Sequence, residues 1–501
     1  MKFKQFSFFR KELVLLLGIV LVGSYLRFFG VFTNSFAFTY DVGRDMLALW
    51  NIVYLHKIPL IGATTGLTGV FYGPWWYYFL TPFFFISSGD PQGVAFLMAA
   101  IGILSIIFGY FLGKRVSGKG LGLFIALIMS TSPYMISLSA QIWNPNIAPL
   151  FVIFVLLLLL KLFKKDKKRR ARDFLLLGFL LGFNIDLEIV FGLLFSIAII
   201  LSLIFILKKK ITIKNILFLA LGYLIVFAPR ILFDLRHQFL MTKSFFKFFT
   251  QGGSQETGGS IVNLVVARSL IIFDQFSQTI AANNKLLALL IVVFITYALK
   301  TGYKKAETNI KNFINVSLIV LIVFVLGTVF FSHDIWPHYL VGLPVFYILL
   351  FSLSLEVLAK KFKSYLPFMV IAIFLFIINL NPVSVFANFQ KPLWIGDASV
   401  YRNQLEVIDH IYSEAKGEDF KYVVYTPPVH DYTYQYLFLW YGPKKYKYAP
   451  VEKSNLAFFI LEPDLEHPER LANWLNNRKE DGKIVKTEKL KSGIVIQTRK
   501  N

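Results

Sequence analysis

Cysteine is absent from all 501 residues, so disulfides, thiolate metal sites and a cysteine nucleophile are excluded. Charge is scarce as well: 16% of residues are charged, against about 25% in an ordinary soluble domain. There is no P-loop, no G-x-G-x-x-G opening a helix after a strand, no H-E-x-x-H and no G-x-S-x-G, which argues against a nucleotide-driven pump and a membrane zinc protease. No internal repeat or long low-complexity tract is present. What abounds is apolar surface. Hydrophobic residues make up 56%, Phe alone occurs 54 times, and the mean hydropathy is +0.61, more than a water-soluble fold can hide.

The formal charge of +23 does not point to nucleic acid, because Lys and Arg sit in short clusters between apolar runs, as in cytoplasmic loops. A span takes about 20 mostly apolar residues. Candidates are Leu13 to Gly30, Val94 to Leu112, Leu121 to Ile136, Ile147 to Leu162, Phe174 to Phe183, Ile189 to Leu207, Ile216 to Pro229, Leu286 to Leu299, Phe313 to Phe331, Tyr339 to Val357 and Leu366 to Leu380. The first has no small-residue cleavage site behind it and reads as a span rather than a signal peptide. The expected fold class is thus mainly α, a polytopic helical membrane protein with about eleven spans.

Basic residues fall on alternate loops. Lys2, Lys4, Arg10 and Lys11, then Lys114, Arg115 and Lys119, Lys161 to Arg172, Lys208 to Lys210, Lys300 to Lys305 and Lys360 to Lys363 mark one side. The loops around Ser132 to Asn146, Asp186 to Glu188 and Ser332 to His338 carry no Lys or Arg. The N-terminus is therefore expected in the cytoplasm of a plasma-membrane protein, and the chain beyond Asn381 outside. Residues 1–381 read as the membrane domain with a functional first outer loop at 31–92, and 382–501 as a small extracytoplasmic α/β domain. In that tail Lys421 to Tyr425, Ala457 to Leu461 and Gly493 to Gln497 have strand patterns, Ser399 to Glu414 and Pro468 to Asn477 helical ones.

Three outer stretches are too long for plain connectors: Val31 to Gln92, Arg230 to Asn284 and the tail. The first holds an amphipathic segment, Val42 to Tyr54, and an aromatic cluster, Phe71 to Phe85; the second a Gly-rich loop, Gln251 to Ser260, followed by amphipathic Ile261 to Ile280. In Tyr40-Asp41-Val42-Gly43-Arg44-Asp45, spacings of three and four put Asp41, Arg44 and Asp45 on one helical face. That pattern is also what a solvated helix start with acidic residues looks like. Asp186 and Glu188 occupy a turn between apolar spans, where acids face a cavity or pathway unless the turn is simply wet. Arg230, Arg236, His237, Lys243, Lys247, Lys57, His333 and His338 lie outside, against the topological bias. Such groups hold a phosphate if gathered in one cleft, or touch anionic headgroups if not. Pro133 and Pro145, in an outer loop with Asn144 and Asn146, read first as helix terminators rather than as substrate contacts.

Asp41 and Arg44 just after the first span, Pro59-Leu60-Ile61-Gly62, Gly73-Pro74-Trp75-Trp76-Tyr77-Tyr78, Gln141-Ile142-Trp143-Asn144-Pro145-Asn146, Phe233-Asp234-Leu235-Arg236-His237 and His338-Tyr339-Leu340 together resemble the GT-C superfamily of polytopic glycosyltransferases. Within it the pattern is similar to bacterial protein O-mannosyltransferases and to the aminoarabinose transferase that modifies lipid A. The resemblance covers roughly the first 380 residues. It implies a hexosyl- or pentosyltransferase taking a sugar from a polyprenyl phosphate and passing it to a protein, lipid or glycan outside the cytoplasm. It further implies that Asp41 acts on the acceptor, with Asp45 as a second catalytic candidate. Arg44, Lys57, Tyr77, Asp186, Glu188, Arg230, Arg236, His237 and His338 would bind substrate. Where many relatives carry an acidic pair, Asp41 is followed by Val42, so the second carboxylate can come from Asp45, Asp186 or Glu188. No cofactor is required; a divalent cation could bridge carboxylates and phosphate, but no ligand spacing demands it. The rival reading is a transporter or flippase of lipid-linked sugars. Against it stand the missing repeats and the gathering of charge at one outer face. A third reading is a membrane anchor that presents the tail as a binding module.

Overall fold

The computed structural model describes residues 2–164, 170–208, 211–251, 261–331, 334–380, 397–427 and 429–500, with backbone alone at 2–10 and 248–251. The expected Gly-rich loop at 252–260, the middle of the basic loop at 165–169, Lys209, Lys210, Ser332, His333 and the domain boundary near 381 lie outside the described residues.

The membrane part runs through α1 (Lys2–Phe32), α2 (Tyr40–Leu55), α3 (Trp75–Ile86), α4 (Pro91–Val116), α5 (Lys119–Thr131), α6 (Pro133–Ala140), α7 (Ala148–Leu162), α8 (Ala171–Leu187), α9 (Ile189–Leu207), α10 (Ile213–Arg236), α11 (Leu240–Gln251), α12 (Ile261–Ile280), α13 (Lys285–Gly302), α14 (Thr308–Val329), α15 (Leu343–Phe362) and α16 (Leu366–Leu380). Ten of the eleven expected spans fall on one helix each, and Leu121 to Ile136 falls across α5 and α6. Among the described residues eight helices are long and apolar enough to cross a bilayer, and nine if α5 and α6 count as one span bent by 60°. The chain is a multi-pass membrane protein. The remaining two expected spans are α8 and α16, which are shorter.

The bend between α5 and α6 comes at Ser132-Pro133, where the proline cannot donate to the ladder. A buried arginine answers the carbonyls freed there: Arg27 of α1 donates to the Met129 and Ser130 carbonyls at 2.9 and 3.0 Å and to Ser139 Oγ at 3.2 Å. Its burial in the bundle is structural, and nothing in the apolar run around it announced that role. α8 and α10 lie against each other at Gly178 and Gly222, where a side chain would strike the facing backbone. α10 also passes Pro229, where the sequence pattern ended the span, and continues to Arg236. Arg230 therefore sits on a helix rather than at the head of a loop.

Beyond residue 396 the chain forms an α/β domain from α17 (Tyr401–Ala415), β1 (Phe420–Tyr425), α18 (Tyr432–Tyr446), β2 (Leu456–Leu461), α19 (Pro468–Asn476), β3 (Lys483–Lys489) and β4 (Val495–Lys500). The sheet order is β1-β2-β4-β3, with β1 and β2 parallel across α18 and the other pairs antiparallel. Alternation along β2 covers both faces: Phe458 and Ile460 join the core that holds α17 and α18, whereas Phe459 and Leu461 meet Leu471 and Trp474 of α19. This domain clamps the segment between α1 and α4. Phe38 N–H donates to Ser399 O at 2.7 Å, Tyr401 N–H to Phe36 O at 3.1 Å and Trp440 Nε1 to Ser88 O at 2.8 Å. At Gly43 of α2 a Cβ would meet the backbone of Tyr432 and Thr433, so glycine is what lets α18 close on α2.

Candidate active site

α2 follows α1 by a short turn and presents its first residues towards the C-terminal domain. Arg44 bridges the two acids of the first turns as the spacing predicts. Its Nη1 donates to Asp41 Oδ1 at 2.6 Å, its Nη2 and Nε to Asp45 Oδ1 at 2.8 and 3.1 Å. The two carboxylates differ in surroundings. Asp45 is 1% exposed and takes further hydrogen bonds from Trp76 Nε1 at 2.8 Å and Tyr77 OH at 3.3 Å. Burial pushes its pKa up, opposed by Arg44 and Trp76. Arg44 is pulled down by burial, but Asp45 and the other anionic neighbours outweigh this and hold it above its ordinary value. Asp41, with its side chain 26% exposed, instead lines a cavity of about 380 Å³. Tyr77 therefore meets Asp45 rather than open space.

A second cluster forms where α8 turns into α9. Arg230 Nη2 stands 3.1 Å from Asp186 Oδ1 as an ion pair without hydrogen-bond alignment, and its guanidinium lies over the Phe227 ring at 4.7 Å. Asp186 accepts from Trp75 N–H at 3.3 Å. Gly73 leaves the room for this, since a Cβ there would run into the Asp186 carboxylate. Glu188 caps α9 and accepts from Tyr72 OH at 2.9 Å. Burial raises Glu188 to about 8, against the Tyr72 and Val190 donors, and lowers His338 to about 4. Both are then largely neutral near pH 7, so their 4.0 Å approach is not an ion pair at that pH. Tyr72 ties the clusters together, lying within electrostatic reach of Glu188 on one side and Arg44 on the other.

The structure thus gathers Asp41, Arg44, Asp45 and Tyr77 in one group and Asp186, Glu188, Arg230 and His338 in another. Lys57, Arg236 and His237 join neither: all three are exposed, and His237 is stacked on Phe233 at 4.0 Å. The reason is local, since α10 carries Arg236 a turn and a half beyond Arg230, onto another face. Among the described residues one grouping of three His, Asp or Glu has metal-like spacing, His410, Glu414 and Glu488. There Lys486 already pairs Glu414 and Glu488 at 3.0 and 2.8 Å, and none of the three lines the cavity beside Asp41.

The cavity has a far wall that sequence reasoning missed. Gln404, Thr426, His430, Thr433 and Glu462 of the C-terminal domain face Asp41, Tyr40 and Trp143 across it. Glu462 is 9% exposed and accepts from Tyr434 OH at 2.9 Å. Burial raises it to about 7, the Tyr434 hydroxyl opposing and Asp397 assisting. An acid raised on folding stabilises the fold fully below its unfolded pKa, near 4.5, and loses that contribution as pH climbs through 7. Between pH 5 and 8 the native chain should lose on the order of 3 kcal/mol more stability than Glu462→Gln, which keeps a partner for Tyr434. Thermal unfolding of the two at both pH values checks this; parallel losses would assign the titration elsewhere.

Residues 72–233 match the family model described as dolichyl-phosphate-mannose-protein mannosyltransferase. Among solved structures, ArnT from Cupriavidus metallidurans bound to undecaprenyl phosphate is 13% identical, with a TM-score of 0.57 and 98% of each chain covered. The apo form of the same protein is 11% identical at a TM-score of 0.57, with 99% of this chain and 98% of that one covered. No curated protein matches in sequence. The GT-C resemblance is borne out: the chain shares its fold with ArnT over 98% of its length, and the matched segment contains Asp186, Glu188 and Arg230.

Proposed function

We propose that this chain is a membrane glycosyltransferase that moves a sugar from a polyprenyl phosphate to an acceptor hydroxyl. The acceptor oxygen attacks the anomeric carbon, its proton passes to Asp41, and the bond from that carbon to the phosphate oxygen breaks. The polyprenyl phosphate leaves with one added negative charge, which Arg44 and Arg230 offset by fixed electrostatics. The observation that carries this reading is the division of labour around Arg44: one carboxylate partner is buried and saturated, the other opens into the cavity. In this reading Asp45 positions Arg44 and does not act on the acceptor. Asp186 holds Arg230 in the same way, and neutral Glu188 with His338 keeps that side free of competing charge. Lys57, Arg236 and His237 contact anionic headgroups at the surface.

The lipid-linked donor enters sideways from the bilayer, in keeping with a family model named for a dolichyl-phosphate sugar and a similar fold that binds undecaprenyl phosphate. The alternation of Lys and Arg clusters supports a cytoplasmic N-terminus and a site on the outer face of the cell membrane. The test is transfer by the purified chain in lipid, offered labelled polyprenyl-phosphate sugars in one series and nucleotide sugars in another. Label should reach acceptors from the first series alone. Translocation of the lipid-linked sugars with no transfer would replace this reading by that of a flippase.

A further inference from the structure

The cavity next to Asp41 is lined from both domains, and its chemistry is one-sided. Among the described residues no Lys or Arg lines it; Asp41 and Glu462 bring carboxyl groups, and Thr39, Thr426, Thr433 and Ser399 bring hydroxyls. Gln404 adds a sharper feature. It is 1% exposed, it lines the cavity, and its buried Oε1 has no hydrogen-bond partner among the described residues. Leaving a buried acceptor unpaired costs about 1 to 3 kcal/mol, so a donor arriving from outside the protein is the natural way to satisfy it. Apolar surface is close at hand from Phe38, Ile142 and Trp143. The volume lies in the range of small-molecule sites, and an aromatic lining with a few fixed polar groups is their usual make-up.

We propose that this cavity is an acceptor subsite for an uncharged, hydroxyl-rich saccharide, with Gln404 and Glu462 of the C-terminal domain accepting hydrogen bonds from its hydroxyls while another hydroxyl faces Asp41. A phosphorylated or carboxylated acceptor head meets the Asp41 and Glu462 carboxyl groups, while Arg44, the cation beside Asp41, is already held by Asp41 and Asp45, and such a head is disfavoured. The site is incomplete without the tail. The segment before α2 is pinned between the two halves, Ala37 bridging to Gln141 on one side and to Val400 on the other. His430, which forms part of the rim, is held by stacking on Tyr432 at 5.1 Å. This inference rests on Asp41 as the base, but binding can be read without turnover.

The full chain in lipid nanodiscs is titrated with methyl glycosides of mannose, galactose and N-acetylglucosamine, with mannose 6-phosphate and with a threonine peptide amide, and bound signal is read by saturation-transfer NMR. At least one neutral glycoside should bind, mannose 6-phosphate clearly less. Gln404→Leu should weaken the best glycoside by about tenfold, the loss of one or two neutral hydrogen bonds. Gln404→Glu serves as a second variant of matched shape, to be compared at unchanged thermal stability. No glycoside signal, an undiminished signal in Gln404→Leu, stronger binding of the phosphate, or preference for the peptide each overturns the proposal. Glycoside binding with no transfer from any donor leaves the subsite standing and removes the enzyme reading; transfer without glycoside binding does the reverse.

Discussion

Asp41→Asn is expected to lower kcat about 10²- to 10⁴-fold, the range a positioned general base supplies, while the chain folds as before. The amide has the shape of the carboxylate and cannot take the acceptor proton. The fold should tolerate it because Arg44 remains fixed by two hydrogen bonds to Asp45, at 2.8 and 3.1 Å. Asp41 itself is partly exposed, so its half of the pair is worth little to stability, about 1 kcal/mol or less. Steady-state transfer at saturating donor, with thermal unfolding alongside, separates the outcomes. A raised KM with kcat unchanged would make Asp41 a binding residue. Native kinetics would remove it from the reaction.

The sequence was informative in proportion to how local its physics is. Spans and the amphipathic α2 and α12 follow from runs and periodicities within one segment, and the Asp41–Arg44 pair follows from helical spacing alone. Features made by two distant segments were not legible. Nothing in α1 itself explains Arg27, because the broken α5 carbonyls it serves are more than a hundred residues away. β3 is an exposed, charged edge strand with no apolar alternation to read, and α18 is aromatic on several sides and carries Pro443. The cavity wall formed by Gln404 and Glu462 was hidden for the same reason: nothing in the tail's own pattern says that it faces Asp41. Helical spacing alone put Asp45 on the same face as Asp41, and the burial under Trp76 and Tyr77 separates the two physically.

That separation sets up the second large effect. Arg44 has two duties in the arrangement described, one towards a leaving phosphate and one towards a buried carboxylate, and single replacement confounds them. Arg44→Met should destabilise the chain by about 3 to 5 kcal/mol, because the Asp45 charge is left buried with only neutral partners. Adding Asp45→Asn removes the stranded charge and keeps an acceptor for Trp76 Nε1, so most of that stability should return. Transfer should not return with it. Losing one preorganised stabilising donor costs about 10² to 10³ in kcat in comparable sites, and the repaired double variant still lacks it. If transfer recovers together with the thermal stability, Arg44 is scaffolding for Asp45 and the leaving phosphate is met by other groups, Arg230 first among them. If stability returns while transfer stays low, the arginine acts on the departing charge and the buried acid exists to aim it.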